Sequence, residues 1–488
     1  MFSEDFNLVA FGTDSYKQSH WNLYPDGTEF VYSYCEPRVG ASFKETMFFG
    51  LQYIVSRYLS GRVVTQAKID EAADVCKAHF GSESVFNRAG WEYILEAHNG
   101  RLPIIIKALP EGIVVPDSTC LFTIQNTDPR VPWLTNFLET ILMQVWSPIT
   151  VASSSREIRK IIAKYLDWNG TPEGLNFKLH DFGYRGVSSL ETAALAGAAH
   201  LATGAMGTDT MAALCLLRDY YHEPMAGFSI PATEHSIMTA GGPTGEADIV
   251  RRILKTHPTG LVAMVGDSYD MIRFVTDVIG KNLDIVAAIR NRQGTVVLRP
   301  DSGEIPQIDV DVFRATESVF GSENNSRGFA VLPPFVRLIQ GDAIKWMKHE
   351  VIDGGGWWHT VEHILNRFNA DRISSDNIAF GSGGGLLQAF DRDTQRFAIK
   401  CSWMQVNGQS RDIFKQPKTD STKNSKRGRL SVILDGSEIR TAPESWITET
   451  GKRNLLQTVF ENGELLVSHK LSEIRERAAI KPQSVVRV

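Results

Sequence analysis

The middle of the chain, from about residue 177 to 390, repeats one short pattern. A brief apolar stretch is followed by a small cluster of polar residues and glycines, and then by a segment of good helix formers. The clusters recur at about the length of one strand–helix unit. They are HDFGYRG (180–186), GTDT (207–210), PATEHS (231–236), GDSYD (266–270), RPDSG (299–303), QGD (340–342) and GSGGG (381–385). The pattern predicts a (β/α) barrel or a doubly wound sheet, and a closed barrel best explains why nearly every strand end carries polar residues.

The segments on both sides of this pattern differ from it. Residues 28–35 and 397–406 alternate apolar and polar side chains like strands with one buried face. Residues 46–59 and 133–146 have helical periodicity, and a further helix is expected from Ser153. We therefore predict an α/β fold in which an irregular (β/α) barrel is inserted in a mixed α+β domain. The predicted segments are 1–150, the N-terminal part of the α+β domain, 151–390, the catalytic barrel, and 391–488, which completes the α+β domain.

Composition argues against several classes of partner. The 488 residues carry a net charge of −5, so no general attraction to nucleic acid or to a membrane surface is expected. The five cysteines are odd in number, far apart and without a CxxC pair, which argues against a disulfide framework or a zinc site. The N-terminus carries acids where a signal peptide carries bases, and no apolar run approaches the length of a membrane span. We therefore expect a cytoplasmic protein.

The glycine-rich turn at 381–385 is the clearest ligand signal on the predicted barrel rim. It follows the apolar residues IAF and precedes LLQAF. Glycines let backbone N–H groups approach a phosphate, and the next helix would add its positive end. A flexible turn without a ligand is the simpler alternative. Because (β/α) barrels commonly bind phosphate after their last two strands, we favour a phosphate site.

Several carboxylates follow neighbouring strands of the same rim. Asp267 and Asp270 lie in GDSYD, Asp301 lies in RPDSG, and Asp342 lies in QGD. Converging carboxylates repel one another unless a positive group joins them. We therefore expect a magnesium ion near Asp270 and Asp301, sugar hydroxyls, or both.

Two arginines accompany these carboxylates. Arg299 in RPDSG, taken alone, is best explained as a structural ion pair with Asp301. With the other clusters on the same rim, Arg185 in HDFGYRG and Arg299 would bind phosphates. The residues alone thus predict a barrel enzyme that acts on a phosphorylated, hydroxylated substrate, and they leave the reaction open.

Four further residues each have a functional and a structural interpretation. His235 in PATEHS shares the rim with the clusters, but a lone histidine is commonly a structural hydrogen-bonding group, and we weigh the two interpretations equally. Phe182 and Tyr16 are candidate stacking surfaces for a flat ring, although aromatic residues more often fill a core. Asp209 in GTDT would by default cap the helix that starts at Thr210.

Motifs spread over almost the whole chain occur together in one known family. They are HDFGYRGVSS, GTDT, EHS, DSYD, RPDSG, VRLIQGD and NIAFGSGGGLLQ, with DSYKQSH, ETMFFGLQYI, KCSW, FKQP and KRGRLS outside the predicted barrel. In sequence and order they resemble the type II phosphoribosyltransferases, the nicotinate/nicotinamide phosphoribosyltransferase family. The resemblance implies transfer of a phosphoribosyl group from 5-phosphoribosyl 1-pyrophosphate to nicotinamide. It also implies Mg²⁺, optional coupling to ATP through a phosphohistidine, and a homodimer whose active sites are shared between subunits.

The resemblance also assigns roles to individual residues. Carried over by motif, His235 is the phosphorylated histidine, and the pyridine ring stacks on Phe182 and on Tyr16 of a second subunit. Asp209 accepts a hydrogen bond from the carboxamide. The residues implied for ribose, phosphate and pyrophosphate are Arg185, Arg299, Asp301, Asp270, Gly341, Asp342, Gly383 and Gly384, and a partner subunit would add Arg38, Arg392, Lys400 and Lys415.

Asp209 also bears on the choice of substrate. A buried carboxylate accepts from an amide and repels a carboxylate, so the alternative substrate, nicotinate, is expected to react less well. Gly266 and Ala398 depart from the family's pattern, because each replaces an expected serine, the first of them near the ring. A (β/α) barrel glycoside hydrolase and a catalytically inert dimer are the alternatives from other classes, and a hydrolase leaves the glycine turn and the arginines unexplained. The segment 354–359 (GGGWWH) has no predicted role.

Overall fold

The chain folds into two units, each with its own sheet. The computed structural model describes residues 6–348, 357–418 and 424–480. One unit comprises Met1–Ser153, Leu216–Glu223 and Phe390–Ala479, and the other comprises Ser154–Cys215 and Pro224–Ala389.

The first unit contains a seven-stranded sheet assembled from both ends of the sequence. The strand Thr28–Glu36 pairs antiparallel with Ala398–Val406 on one side and with Phe122–Asn126 on the other. Its last six residues are buried, so the alternating pattern forms the sheet's core-facing centre. The predicted strands at 28–35 and 397–406 therefore lie side by side. The mixed α+β domain built from N- and C-terminal segments is confirmed.

Hairpins and mostly short helices complete this unit. The order across the sheet is Gln409–Asp412, Ala398–Val406, Thr28–Glu36, Phe122–Asn126, Ile104–Ala108, Gln457–Glu461 and Glu464–Leu465. Two further hairpin or ribbon pairs are Glu45–Met47 with Val114–Pro116, and Leu430–Asp435 with Glu438–Pro443. Helical segments are Leu8–Phe11, Ser15–Asn22, Leu51–Tyr58, Gln66–Phe80, Glu83–Val85, Arg88–Ala97, Leu134–Phe137, Glu139–Met143, Ser445–Thr450 and Leu471–Ala478.

The second unit contains a ring of parallel strands. Six strands pair in the order Gly207–Thr208, Leu179–Asp181, Ile378–Ser382, Val336–Gln340, Gln293–Arg299 and Thr259–Val265. The irregular segment 228–233 closes the ring, because Phe228 bridges to Gly207 and Ala232 bridges to Ala263. The backbone of Phe228 donates to Met206 O at 2.7 Å, and Ala263 N donates to Pro231 O at 2.9 Å. The predicted irregular (β/α) barrel is thus confirmed.

Helices follow most of the barrel strands, and small apolar side chains fill the ring. The helices are Leu190–Ala202, His235–Met238, Glu246–Thr256, Met271–Arg273, Leu283–Asn291, Gln307–Phe320, Thr360–Ala370 and Gly384–Leu387; the helices Trp146–Asn169 and Met211–Tyr221 each span a boundary of the units. Ala263, Val297 and Ile339, from three adjacent strands, form one buried cluster. Phe182 and Ile230, from opposite parts of the ring, pack against it, so the cluster lies inside the ring, at the base of the site.

The helix predicted at 46–59 is wrong in its first part. Glu45–Met47 is a strand, and the helix is Leu51–Tyr58. Between them Gly50 adopts φ 101°, a conformation that favours glycine, and it breaks the apolar run in two. The run itself contains residues that suit either structure, so its periodicity did not separate them.

The helix expected from Ser153 begins earlier, at Trp146, and extends to Asn169. It includes Pro148 in its first turn, where the missing N–H has no intrahelical partner to lose. Residues 133–146 form two short helices, Leu134–Phe137 and Glu139–Met143. Among the residues that the structure describes, none of the helices combines the length and the apolar character that a membrane crossing requires.

His359 gives the C-terminal end of the unexplained GGGWWH segment a structural role. Trp357–His359 pairs with Trp346–Lys348, while residues 354–356 lie outside the described residues. His359 precedes the helix Thr360–Ala370, and its Nδ1 accepts a hydrogen bond from Val361 N at 3.2 Å. His359 is only 1% exposed, and this burial lowers its pKa to about 3.

We expect His359→Asn to make the fold less sensitive to acid. In the native protein the imidazole stays neutral, whereas in the unfolded chain it binds a proton below about pH 6.5. Stability is therefore lost as the pH falls from 6.5 towards 3, by about 2 kcal/mol between pH 6.5 and 5. Asparagine keeps a capping acceptor and does not titrate. Urea unfolding at both pH values measures the difference.

The exposed His79→Asn is the matched control and should keep the wild-type pH dependence. An undiminished loss of stability in acid for His359→Asn would contradict the assignment.

Candidate active site

Phe182 forms an aromatic wall at the mouth of the barrel. Its backbone N–H donates to Ser382 O at 2.9 Å, which extends the pairing of two barrel strands by one residue. Its ring packs against the buried interior cluster and stays partly exposed. A Cβ added at Gly381 would lie 2.0 Å from Phe182 Cε2, so the ring occupies the space that a side chain at 381 would need. Phe182 thus offers one face to the rim.

Asp181 links two of the rim loops from beneath, and the sequence analysis missed it. It is 0% exposed, its Oδ1 accepts from Gly183 N at 2.7 Å, and its Oδ2 accepts from Thr208 Oγ1 at 3.0 Å. Its backbone carbonyl accepts from Asp209 N at 2.9 Å. Burial raises the pKa of Asp181, and these hydrogen bonds oppose the rise. Its sequence signal is a carboxylate directly before Phe182, the predicted stacking residue.

The glycine turn packs directly on the loop that carries Arg185. A Cβ at Gly186 would lie 3.0 Å from Gly384 N, and a Cβ at Gly183 would lie 2.6 Å from Leu387 Cγ. The two backbones therefore approach more closely than side chains would allow, and Arg185 is exposed beside Gly383 and Gly384. The helix after the turn has only four residues, Gly384–Leu387. The helix N-terminus is therefore expected to add little to phosphate binding.

Asp209 lies at the rim and is hydrogen-bonded to a neighbouring loop. Ser229 Oγ donates to Asp209 Oδ1 at 2.5 Å. Asp209 is exposed, so the expectation that its carboxylate is buried is wrong for a single chain. The default capping interpretation also fails, because Thr208 Oγ1 is the acceptor for Thr210 N at 3.0 Å.

His235 is held by Asp267. The ring Nε2 lies 2.9 Å from Asp267 Oδ1, and Asp267 Oδ2 accepts from Ser302 Oγ at 2.5 Å and from Asp301 N at 3.3 Å. The Asp267 side chain is 6% exposed and that of His235 is 47% exposed. Burial opposes ionisation of Asp267, but the hydrogen bonds from Ser302 and His235 outweigh it and lower its pKa. Sequence reasoning counted Asp267 among the rim carboxylates and missed this pairing, because the two residues are far apart in the chain.

Arg299, Asp301 and Gly341 come together on two adjacent strands. Arg299 Nε lies 3.8 Å from Asp301 Oδ1, too far for a hydrogen bond. Within the described part of the chain this buried Nε has no hydrogen-bond acceptor. A Cβ at Gly341 would lie 2.8 Å from Asp301 Oδ1, so the glycine leaves room for both side chains. Asp342 follows and is exposed.

Asp270 plays a structural part. Its Oδ1 accepts from Arg273 N at 2.8 Å and caps the helix Met271–Arg273. Within residues 6–348, 357–418 and 424–480 no three His, Cys, Asp or Glu side chains are grouped as metal ligands. Mg²⁺ commonly binds through one or two carboxylates together with substrate phosphates, so the exposed side of Asp301 still suits it.

Gly266, which replaces an expected serine, does not face the proposed position of the pyridine ring, contrary to expectation. A Cβ at this position would lie 2.4 Å from Phe274 Cδ1 and 2.9 Å from Met271 Sδ, which belong to the helical segment behind the strand. Phe182 packs instead against the interior cluster of Ala263, Val297 and Ile339. Ala398 lies in the first unit, opposite Glu36.

The basic residues expected from a partner subunit lie in the first unit. Burial lowers the pKa of Lys400. The nearby Glu139 carboxylate opposes this shift, and the charges of Arg38 and Lys415 add to it, so both cations lie near Lys400. Arg392 is exposed and pairs with the adjacent Asp393 at 3.0 Å. Tyr16 is 59% exposed.

We expect Gly381→Ala to displace the Phe182 ring and to destabilise the second unit. The added Cβ cannot share the space of the ring, and overpacking of this kind costs about 1–3 kcal/mol. Urea unfolding measures the change, and Gly174→Ala, where the nearest atom is 3.8 Å away, is the matched control. Equal stabilities of the two variants would show that the ring does not cover Gly381.

Comparison with protein families matches two parts of the chain. Residues 8–106 match the nicotinamide phosphoribosyltransferase N-terminal domain. Residues 177–464 match the nicotinate phosphoribosyltransferase family. The second match spans the barrel and most of the C-terminal segment.

Individual proteins match over nearly the full length. A nicotinamide phosphoribosyltransferase of Xanthomonas campestris pv. campestris is 44% identical, covering 96% of this chain and 98% of the relative. A nicotinamide phosphoribosyltransferase of Acinetobacter baylyi is 33% identical, covering 96% and 97%.

Two solved structures share the fold. They are a nicotinate-nucleotide pyrophosphorylase from Pyrococcus furiosus (TM-score 0.58, 15% identity, 98% of this chain and 96% of that chain) and human nicotinic acid phosphoribosyltransferase (TM-score 0.57, 16% identity, 96% and 92%). At these identities the likeness concerns the fold alone.

Proposed function

The chain belongs to the nicotinate phosphoribosyltransferase family, and we propose that it is the member that uses nicotinamide. It joins nicotinamide to 5-phosphoribosyl 1-pyrophosphate and forms nicotinamide mononucleotide and pyrophosphate in NAD salvage. One observation carries this proposal. The aromatic wall of Phe182, the amide acceptor Asp209 and the loop of Arg185 on the glycine turn are tied to one another through the buried Asp181.

The pyridine ring stacks on Phe182, and its carboxamide donates a hydrogen bond to Asp209. A flat aromatic ring gains from stacking on a partly exposed phenylalanine, and the base of the pocket is apolar. Asp209 is an acceptor without a donor of its own when ionised, so it favours an amide over a carboxylate. Tyr16 of a second subunit covers the other face of the ring.

The phosphoribosyl group lies across the remaining loops. Arg185 and the backbone of Gly383 and Gly384 bind the 5-phosphate, because glycines admit the phosphate to the main chain. Arg299 and Asp301 bind the pyrophosphate and ribose ends, next to Gly341 and Asp342. Arg299 Nε has no hydrogen-bond acceptor among the described residues, which supports this role, since a phosphate oxygen would supply one.

Catalysis stabilises opposite charges on the two sides of the breaking bond. As pyrophosphate departs, positive charge develops on the ribosyl carbon, and a nearby carboxylate such as Asp301 stabilises it electrostatically. Arg299 stabilises the departing anion. Mg²⁺ would be held by Asp301 together with the pyrophosphate, and when bound it neutralises charge on the leaving group. Asp270 is less suited to this role because one of its oxygens caps a helix.

His235 couples the reaction to ATP when ATP is present. In the tautomer that donates from Nε2 to Asp267, Nδ1 keeps its lone pair and can attack the γ-phosphate, which leaves ADP and a phosphohistidine. Asp267 stabilises the positive charge of the phosphorylated ring.

A homodimer supplies the rest of the site. The neighbouring cations Arg38, Lys400 and Lys415, together with Arg392, come from the partner subunit and bind phosphate groups. Arg38 and Lys415 repel Lys400, and Glu139 offsets this repulsion only in the protein itself; a polyanionic ligand would bind all of these cations, which supports the role. We place the protein in the cytoplasm.

Purified protein incubated with 5-phosphoribosyl 1-pyrophosphate and Mg²⁺ should convert nicotinamide to its mononucleotide. We expect kcat/KM for nicotinamide to exceed that for nicotinate by more than about 100-fold, since nicotinate would place two carboxylates together. Asp209→Asn should narrow this ratio. Faster conversion of nicotinate would support the alternative assignment, nicotinate phosphoribosyltransferase. If neither base gives a product, the catalytically inert dimer would be the better assignment.

ATP labelled at the γ-phosphate should transfer label to the wild-type protein in acid-labile form. His235→Ala should reduce the incorporated label to background, because the attacking nitrogen is lost. His257→Ala removes a histidine outside the rim and should label like the wild type. Label that persists in His235→Ala would place the phosphate on another residue.

A further inference from the structure

Ser229 occupies one of the two oxygens of the Asp209 carboxylate. Its hydroxyl donates to Asp209 Oδ1 at 2.5 Å. Both residues are exposed at the rim. An exposed hydrogen bond adds little to the stability of the fold, because water can replace either partner. The contact therefore calls for an explanation other than stability.

Backbone hydrogen bonds fix Asp209 and Phe228, the residue before Ser229. Thr208 N donates to Phe228 O at 3.0 Å, and Asp209 N donates to Asp181 O at 2.9 Å. The next residue after Ser229 is Ile230, which packs against the same interior cluster as Phe182. Ser229 thus lies between Phe228, which bridges to Gly207, and Ile230, which packs on the interior cluster, so the main chain is anchored on both sides of it. A side-chain contact on such a backbone is pre-organised.

We infer that Ser229 is a positioning residue that sets the choice between the two bases. With Oδ1 bound by the Ser229 hydroxyl, Oδ2 of Asp209 is the oxygen left to accept the carboxamide N–H. The carboxylate therefore does not have to be ordered when nicotinamide binds, and this saving applies to the amide alone. This inference rests on the proposed function and deepens it, because no residue other than Asp209 has so far been given a part in discriminating an amide from an acid.

The alternative is that Ser229 only supports the loop. A loop defect would raise KM for both bases and for 5-phosphoribosyl 1-pyrophosphate together. Loss of a positioning group acts on nicotinamide alone, because nicotinate makes no favourable contact with Asp209. The two roles therefore differ in the ratio of the kcat/KM values and not only in their size.

The test compares Ser229→Ala, Ser229→Thr and the wild type, with both bases, at saturating 5-phosphoribosyl 1-pyrophosphate and Mg²⁺. Ser322→Ala is the matched control, because Ser322 Oγ donates to the Glu317 carboxylate at the same 2.5 Å, at the far end of the helix Gln307–Phe320. We expect Ser229→Ala to lower kcat/KM for nicotinamide about tenfold through KM, the usual effect of losing a hydrogen bond to a charged group. The value for nicotinate and the KM for 5-phosphoribosyl 1-pyrophosphate should stay unchanged. Ser229→Thr, which keeps the hydroxyl, should restore the preference.

An unchanged nicotinamide-to-nicotinate ratio in Ser229→Ala would overturn the inference, as would an equal loss for both bases. Either result would leave the proposed function intact if Asp209→Asn still narrows the ratio. If the wild type makes no mononucleotide from nicotinamide, the proposed function fails, and the inference fails with it.

Discussion

The closure of the parallel ring by residues 228–233 is the interaction on which the site depends. Six strands with parallel pairing leave two open edges, and the short segment between them satisfies both edges through backbone hydrogen bonds at Phe228 and Ala263. Once the ring is closed, the carboxyl ends of all its strands face one opening. Loops that are more than a hundred residues apart in the chain then become neighbours.

Closure of the ring brings neighbouring loops into close contact. This crowding explains the glycines of the rim better than a need for flexible loops does. At Gly381 the Phe182 ring takes the space of a side chain, and at Gly341 Asp301 and Arg299 do so. At Gly186 it is the main chain of the glycine turn that lies within contact distance. These positions have ordinary φ angles, so the constraint is steric contact with a functional group, and a larger residue would move that group.

The sequence predicted the barrel, its polar loops and a domain completed by the C-terminal segment, because the strands and helices behind each of these have local signals. A strand, a polar cluster and a helix follow one another within a few tens of residues, and the alternation at 28–35 is visible without any partner. The hydrogen bonds from Ser302 and His235 to Asp267, and from Ser229 to Asp209, were not predictable, because they join separate loops. The same limit explains the helix predicted at 46–59, where pairing with a distant strand overrides an ambiguous apolar run.

Hydrogen bonds between separate loops also reduce the repulsion among the rim carboxylates. Mutual repulsion of the carboxylates was the reason for expecting a cation among them. In the structure most of that charge already has donors: Asp181 has Gly183 and Thr208, Asp267 has His235 and Ser302, Asp209 has Ser229, and Asp270 has a helix N–H. Among the residues that the structure describes, Asp301 has only the distant Arg299 as a partner, and Asp342 is exposed beside it. The proposed Mg²⁺ is therefore required by the charge of a pyrophosphate ligand rather than by that of the protein alone, since a pyrophosphate next to Asp301 and Asp342 would need a divalent cation between them.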